Sequence, residues 1–145
     1  MDSDVIEKQK EYIKKIRKLN ENKKKYYNIF TMGCQLNEND SEKLAGMLEE
    51  MGYKSTDNLE AASIYILNTC CVRENAEEKL FGKLGELKKL KYENNGIIAI
   101  CGCMMQEKHI QEKLKTSYPY VDIIFGTHTI HKLPEDLYNA ITEKN

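Results

Sequence analysis

Three apolar, strand-like segments of the chain each lead to a cysteine, and a helix-like segment follows each of them. The strand-like segments are residues 26–32, 64–68 and 97–100, and they lead to Cys34, Cys70 and Cys103 in turn. In an open parallel sheet the carboxyl ends of the strands lie along one edge, which is where α/β folds bind ligands. Cysteines far apart in sequence would meet at that edge, so the pattern predicts a site built on three thiols.

The remaining segments also favour an α/β fold. Helices are predicted over residues 37–51, 74–92, 105–115 and 129–141, the last interrupted near Pro134, and shorter strands over residues 53–56 and 121–125. Alternating strands and helices are typical of a parallel sheet whose connections cross over its faces. The prediction is a mainly parallel open sheet of about five strands with helices on both faces, in a flavodoxin-like or Rossmann-like arrangement.

The first 25 residues differ in charge from the rest of the chain. They contain nine Lys or Arg against five Asp or Glu, a net charge of +4. Apolar side chains fall roughly on one helical stripe; they are Val5, Ile6, Ile13, Ile16 and Leu19. We expect residues 1–25 to form a basic amphipathic helix and linker that dock loosely on a domain of residues 26–145. A basic arm that steers RNA is the alternative interpretation.

The composition limits the class of protein. A net charge of −1 gives no sign that the molecule as a whole binds nucleic acid electrostatically. No apolar run approaches the roughly 20 residues that span a bilayer, and the N-terminus lacks an apolar signal core. The five cysteines are expected to be thiols or metal ligands rather than disulfides. We therefore expect a cytoplasmic protein with no membrane partner.

The cysteine spacing differs from that of common small metal motifs. Cys34, Cys70 and Cys103 are 36 and 33 residues apart, and the chain has no C-x-x-C pair, which disfavours zinc ribbons and thioredoxin-like redox sites. Gly33 and Gly102 directly precede two of these cysteines. A glycine there permits a sharp backbone turn and the close approach of a bulky ligand. Each thiol would thus come from a separate strand–helix unit.

Two further cysteines are assigned other roles. Cys70 and Cys71 are adjacent, so in an extended chain they point to opposite sides, and only one can face a shared centre. We choose Cys70 because it follows its strand directly. Cys101 lies inside a predicted strand, and its expected role is that of a small buried apolar residue.

The residues alone leave the occupant of the site open. Three thiolates are one fewer than the usual ligand set of an iron–sulfur cluster, and they would leave one iron of a 4Fe-4S cluster open to another ligand. The rival interpretation is a zinc ion held by three cysteines and one of His109, His128 and His131. Three separate buried thiols without a metal are a further alternative.

Three motifs, taken in order, resemble those of a known family. They are Gly-Cys-Gln-Leu-Asn at residues 33–37, Asn-Thr-Cys-Cys-Val-Arg-Glu-Asn-Ala-Glu at residues 68–77 and Gly-Cys-Met-Met-Gln at residues 102–106. Over about residues 27–141 the chain resembles the N-terminal domain of the radical-SAM methylthiotransferases. The second motif and its continuation through residues 81–87 are similar to the branch that modifies N6-isopentenyladenosine in tRNA.

That resemblance implies a function. Cys34, Cys70 and Cys103 would bind an auxiliary 4Fe-4S cluster, and no catalytic side chain is expected in this domain. The complete enzyme would carry S-adenosylmethionine and a second 4Fe-4S cluster in a central barrel and hold tRNA with the help of a C-terminal domain. It would insert sulfur, as a methylthio group, at C2 of N6-isopentenyladenosine next to the anticodon.

One departure from the family pattern shapes the expectation for this chain. It contains no C-x-x-x-C-x-x-C motif for the second cluster. We therefore expect an isolated N-terminal domain that is inactive alone and, with its charge of −1, binds tRNA weakly or not at all. The alternative is a flavodoxin-like binding module, or a zinc site of three cysteines and a histidine, with no role in sulfur transfer.

Overall fold

The structure, a computed structural model, describes residues 3–33, 35–70, 75–125 and 127–143. Within these residues the strands are Lys25–Thr31 (β1), Tyr53–Ser55 (β2), Ile64–Thr69 (β3), Ile97–Gly102 (β4) and Ile123–Ile124 (β5). The α-helices are Ser3–Leu19 (α1), Gln35–Glu50 (α2), Ala76–Asn94 (α3), Lys108–Ser117 (α4) and Leu133–Glu143 (α5). Short 3-10 segments cover Cys103–Gln106 and Thr127–Lys132. No helix in the described ranges is long and apolar enough to cross a membrane.

The strands of the described chain form one sheet in the order β2-β1-β3-β4-β5. Every neighbouring pair is parallel. The order is that of flavodoxin-like folds. The central strands β3 and β4 are buried along their whole length, which a sheet covered on both faces requires. The predicted α/β fold with a parallel sheet of about five strands is confirmed.

Helices cover both faces of the sheet, and each face has its own hydrophobic cluster. One cluster joins side chains of α1, α2 and α5 to Ile66 and Ala99 of the sheet. The other joins side chains of α3 and α4 to Tyr65 and Ile98. Residues adjacent in a strand thus point to opposite faces. Helices on both faces were predicted, and this arrangement confirms them.

Helix α1 is an integral part of one of these faces, so the expectation that the N-terminal helix docks loosely is wrong. Ile16 is fully buried in the cluster formed with α2 and α5. Gln9 is also buried, and its side chain donates to Glu135 Oε1 at 3.2 Å and accepts the Glu135 backbone N–H at 3.1 Å. The rings of Tyr12 and Tyr138 lie 5.5 Å apart, centroid to centroid. Helix α5 therefore supplies α1 with both apolar and polar partners.

Several boundaries differ from the predicted ones for local reasons. The predicted helix at residues 129–141 begins only at Leu133, with Pro134 in the first turn of α5, where its missing N–H has no helical partner to lose. The predicted helix at residues 105–115 starts at Lys108, because the preceding residues form a 3-10 turn. The predicted edge strand at residues 121–125 is reduced to Ile123–Ile124.

Candidate metal centre

The ends of β1, β3 and β4 lie side by side at one edge of the sheet. Thr31 of β1 is paired with Asn68 of β3, and Asn68 is paired with Cys101 of β4. Cys70 and Cys103 each follow this level of the sheet by two residues. The parallel register therefore brings the segments of Cys70 and Cys103 to the same edge.

The glycine before Cys34 packs directly on Cys70. Cys34 and Cys71 lie outside the described residues, but Gly33 is described and has a φ of 99°. A Cβ on Gly33 would lie 2.5 Å from Cβ and 2.7 Å from Sγ of Cys70, so a residue with a side chain would not fit. Gly33 therefore lies next to the Cys70 thiol, and Cys34 is the next residue along the chain.

A second glycine joins the Cys103 segment to the same place. Gly102 has a φ of 104° and is paired with Thr69 across β3 and β4. A Cβ on Gly102 would collide with the backbone carbonyl oxygen of Thr69. Thr69 precedes Cys70 and Gly102 precedes Cys103, so the close contacts of the two glycines link all three cysteine segments. Both glycines have positive φ angles, which residues with a side chain rarely adopt.

The order of the strands reverses direction at this part of the sheet. Helix α2 follows β1 and packs on one face of the sheet, whereas α3 follows β3 and packs on the other. From β1 the chain continues to β2 on one side, and from β3 it continues to β4 and β5 on the other side, so the strand order changes direction between β1 and β3. In open α/β sheets, ligands bind outside the carboxyl ends of the strands at this reversal. Gly33, after β1, and Cys70, after β3, lie on its two sides.

The cysteines of the described residues differ in burial. Cys70 is 2% exposed, Cys103 is partly exposed and Cys101 is fully buried, and none of these three forms a disulfide. Burial, with a smaller contribution from the negative charge of Asp40, raises the pKa of Cys101 to about 12. The Cys101 thiol therefore stays protonated at neutral pH and packs in the apolar cluster beneath α2 and α5. These surroundings match its expected role as a core residue.

The chemistry of the donors suits a metal cluster. Thiolates are the usual protein ligands of iron–sulfur clusters and are common ligands of structural zinc. Among the described residues, no three His, Cys, Asp or Glu side chains come close enough together to hold a metal ion. The third predicted thiol, Cys34, is not one of those residues. The full ligand set therefore stays a prediction.

The histidines offered as zinc ligands have other surroundings where they are described. Nε2 of His109 lies 3.0 Å from Glu77 Oε1 and 3.6 Å from Glu107 Oε2, and the His109 side chain is 64% exposed. His131 is partly buried in the 3-10 segment before α5. The side chain of His128 lies outside the described part of the chain. The contacts of His109 give no support to its role as a fourth ligand.

Sequence reasoning missed a buried polar cluster directly beneath the cysteine edge. This polar cluster consists of the buried residues Asn37, Asn68 and Thr69 and the half-buried residues Thr31 and Ser41. Asn68 and Thr69 lie within β3, and both are fully buried. The sequence feature that could have indicated this cluster is an asparagine within three residues of a cysteine in two of the motifs. The sequence could not show that their side-chain amides face each other.

Comparison with known proteins supports the family resemblance that the motifs indicate. The profile of the family described as "Uncharacterized protein family UPF0004" matches residues 25–126. A tRNA-2-methylthio-N(6)-dimethylallyladenosine synthase from Clostridium perfringens (strain 13 / Type A) is 60% identical over 121 residues, which cover 83% of this chain and 27% of that protein. Proteins of the same name are 50% identical over 141 residues in Thermoanaerobacter pseudethanolicus (97% of this chain, 30% of that protein) and 53% identical over 140 residues in Acetivibrio thermocellus (92% and 29%).

The match is extensive on this chain and partial on its relatives. The chain spans 27–30% of the length of these relatives. The region matched by the family profile contains Cys34, Cys70 and Cys103. The names of the relatives confirm the resemblance to methylthiotransferases that the motifs indicated. Because the profile covers well over half of the chain, the chain belongs to the family described as uncharacterized protein family UPF0004.

Proposed function

We propose that this domain holds an auxiliary 4Fe-4S cluster through the thiolates of Cys34, Cys70 and Cys103. The observation that carries the proposal is the contact between Gly33 and Cys70, because it sets the segment of one predicted ligand against the thiol of the next. The pairing of Thr69 with Gly102 extends this arrangement toward the third ligand.

We further propose that the domain is the N-terminal part of a radical-SAM tRNA methylthiotransferase. The relatives are named for a product that carries a methylthio group on a dimethylallyl-modified adenosine of tRNA. The whole enzyme would place that sulfur at C2 of N6-isopentenyladenosine next to the anticodon. S-adenosylmethionine and a second 4Fe-4S cluster would be bound outside the region that this chain matches, and tRNA would be held with the help of a C-terminal domain.

The residues of this chain would bind and shelter the cluster. Three thiolate ligands leave one iron of a bound 4Fe-4S cluster open to a further ligand, and this is the site at which sulfur for transfer would be held. The side chain of Cys70 is almost fully buried, which keeps water from that ligand. Gly33 and Gly102 carry no side chain into the space where the three segments meet. Protonated Cys101 lies in the core below and takes no part.

Anaerobic reconstitution of this chain with iron and sulfide tests the proposal. We expect a brown protein with about four iron and four sulfide per chain, and a Mössbauer spectrum of a 4Fe-4S cluster. The variants Cys34→Ala, Cys70→Ala and Cys103→Ala should each lose stable cluster binding. The matched controls Cys71→Ala and Cys101→Ala should load the cluster as the wild type does.

Three results would contradict the proposal. Full loading of Cys70→Ala, with loss in Cys71→Ala, would show that Cys71 is the ligand and that Cys70 is not. Stoichiometric zinc binding in place of the cluster would favour the zinc site of three cysteines and a histidine. Multiple turnovers of tRNA methylthiolation by this chain alone, given S-adenosylmethionine and a reductant, would overturn the assignment of the radical chemistry to another domain.

A further inference from the structure

We propose that Asn37 is a positioning residue for the metal centre. Its side-chain amide fixes the segment that carries Cys34 relative to the segment that carries Cys70. The inference rests on the function proposed above, because it requires these two cysteines to share one cluster. It assigns a role to the buried polar cluster, none of whose members is a predicted ligand.

The contacts of Asn37 join the two segments directly. Asn37 lies in the first turn of α2, three residues after Cys34, and is 7% exposed. Its Nδ2 donates to the backbone carbonyl oxygen of Thr69 at 2.7 Å and to Oδ1 of Asn68 at 3.0 Å. Thr69 immediately precedes Cys70. One amide therefore ties the helix that follows one cysteine to the strand end that delivers the other.

Asn68 returns the contact and extends it to β1. Its Nδ2 donates to the backbone carbonyl oxygen of Asn37 at 2.8 Å and to Oγ of Ser41 at 3.0 Å. The Ser41 hydroxyl lies 2.7 Å from Oγ1 of Thr31, at the end of β1. Each amide nitrogen thus has two acceptors, which satisfies both of its N–H groups and fixes the orientation of both side chains. A buried network satisfied in this way holds its members rigidly.

The third segment is attached to the same network. The Thr69 hydroxyl donates to the backbone carbonyl oxygen of Cys101 at 2.7 Å. The backbone carbonyl oxygen of Thr69 therefore accepts the Asn37 amide, while its side chain binds β4. The bond to β4 is made at Cys101, one residue before that strand ends at Gly102. Loss of the Asn37 amide would remove the hydrogen bond that holds the backbone of the residue before Cys70 against α2. The bonds of the Asn68 side chain to α2 and the attachment between β3 and β4 would remain.

The chain offers a matched control at the other end of the sheet. Nδ2 of Asn20 donates to the backbone carbonyl oxygen of Met51 at 2.9 Å, and Asn20 is 8% exposed. Like the bond between Asn37 and Asn68, this bond joins groups 31 residues apart. Asn20 lies before β1 begins and Met51 just before β2 begins, away from the cysteine edge. Its removal weakens the fold without touching the cysteine segments.

The test compares cluster loss in Asn37→Ala and Asn20→Ala. Each variant and the wild-type chain are loaded with iron and sulfide without oxygen, and an iron chelator is then added. The fading of the cluster's visible absorption gives the rate of loss, and the melting temperature of each apo form gives its stability. Removal of groups that support metal ligands changes metal affinity about 10–100-fold. We expect Asn37→Ala to lose its cluster about 10–100-fold faster than the wild type. Asn20→Ala should lose it at the wild-type rate, although both variants melt at a lower temperature.

Equal rates of loss in Asn37→Ala and the wild type would overturn the inference. Equally fast loss in both variants would overturn it too, because general destabilisation would then explain the effect. Should Asn37→Ala not melt cooperatively, Asn37→Ser takes its place, since a single short hydroxyl cannot reach both acceptors; faster loss supports the inference and a wild-type rate overturns it. A wild-type chain that takes up no cluster would overturn both the proposed function and this inference.

Discussion

Nζ of Lys91 lies 2.6 Å from Oδ2 of Asp122, and the same carboxylate oxygen accepts the backbone N–H of Ile98 at 2.9 Å. Nζ also donates to the backbone carbonyl oxygen of Gly96 at 3.1 Å. Lys91 lies near the end of α3, Ile98 near the beginning of β4 and Asp122 just before β5. The ion pair therefore joins a helix to the edge strand at the end of the sheet opposite the cysteines.

Lys91→Met should be destabilising, because it leaves the partly exposed Asp122 carboxylate without its counter-charge. The side chains of Lys91 and Asp122 are 6% and 20% exposed. We expect the free energy of unfolding to fall by about 1–3 kcal/mol, the cost of leaving a partly buried polar group without its partner. Urea denaturation measures the change. Lys89→Met, which breaks an ion pair with exposed Glu93, is the control and should have little effect; equal losses would contradict the prediction.

Ile16→Ala tests the docking of α1. Ile16 is fully buried against α2 and α5, so the substitution removes packed atoms and leaves a cavity. We expect a loss of about 2–5 kcal/mol in the free energy of unfolding. Ile6, on the same helix but 40% exposed, provides the control Ile6→Ala, for which a much smaller loss is expected. A similar small loss at both positions would restore the interpretation of α1 as a loosely docked helix.

Gly102→Ala should damage both the fold and the site. Gly102 combines a φ of 104° with a backbone packed on the carbonyl group of Thr69, so an added methyl group meets strain and collision together. We expect a lower melting temperature and reduced iron uptake after reconstitution. In Gly82→Ala, by contrast, nothing lies within 4 Å of the new methyl group, and α3 should be stabilised by about 0.5–1 kcal/mol. Wild-type iron uptake by Gly102→Ala would show that the close approach is not needed.

Local pattern was sufficient to predict the architecture but not the polar contacts. Unbroken apolar runs such as residues 64–68 indicate central parallel strands. The parallel register then brings the strand ends to one edge, independently of the conformation of the loops. Docking of α1 depends on Gln9 meeting Glu135, which is 126 residues away in sequence. The pairing of Asn37 with Asn68 likewise depends on the angle at which α2 leaves β1. No periodicity or residue spacing in the sequence predicts either contact.

Alkaline pH should weaken the fold partly through Tyr27. Burial, together with the hydrogen bond that its hydroxyl donates to Glu49 Oε2 at 2.9 Å and the charge of that carboxylate, raises the pKa of Tyr27 to about 12. The phenol of an unfolded chain titrates near pH 10. The contribution of Tyr27 to stability is therefore complete below pH 10 and is lost as the pH rises toward 12.

Tyr27→Phe isolates that contribution. The variant should be less stable at neutral pH because the hydrogen bond to Glu49 is gone. Its free energy of unfolding should then fall less steeply than that of the wild type between about pH 10 and 12, since it has no phenol at this position to ionise. Urea denaturation at several alkaline pH values compares the slopes, and parallel curves would show that Tyr27 has the same pKa in the folded and the unfolded chain.

Removal of the cluster should loosen the cysteine edge and leave the rest of the fold intact. Each face of the sheet has a hydrophobic cluster made almost entirely of side chains that are not predicted ligands. Leu44 and Leu48 are fully buried on one face and Leu84 on the other. Small zinc modules unfold without metal because they lack such cores, whereas a domain of this size buries enough apolar surface to fold alone. The apo chain should therefore unfold cooperatively and keep a native circular dichroism spectrum. Hydrogen exchange, followed by mass spectrometry with and without the reconstituted cluster, should rise only in peptides around Cys34, Cys70 and Cys103; exchange throughout the sheet, or a melt without cooperativity, would mean that the cluster itself holds the fold.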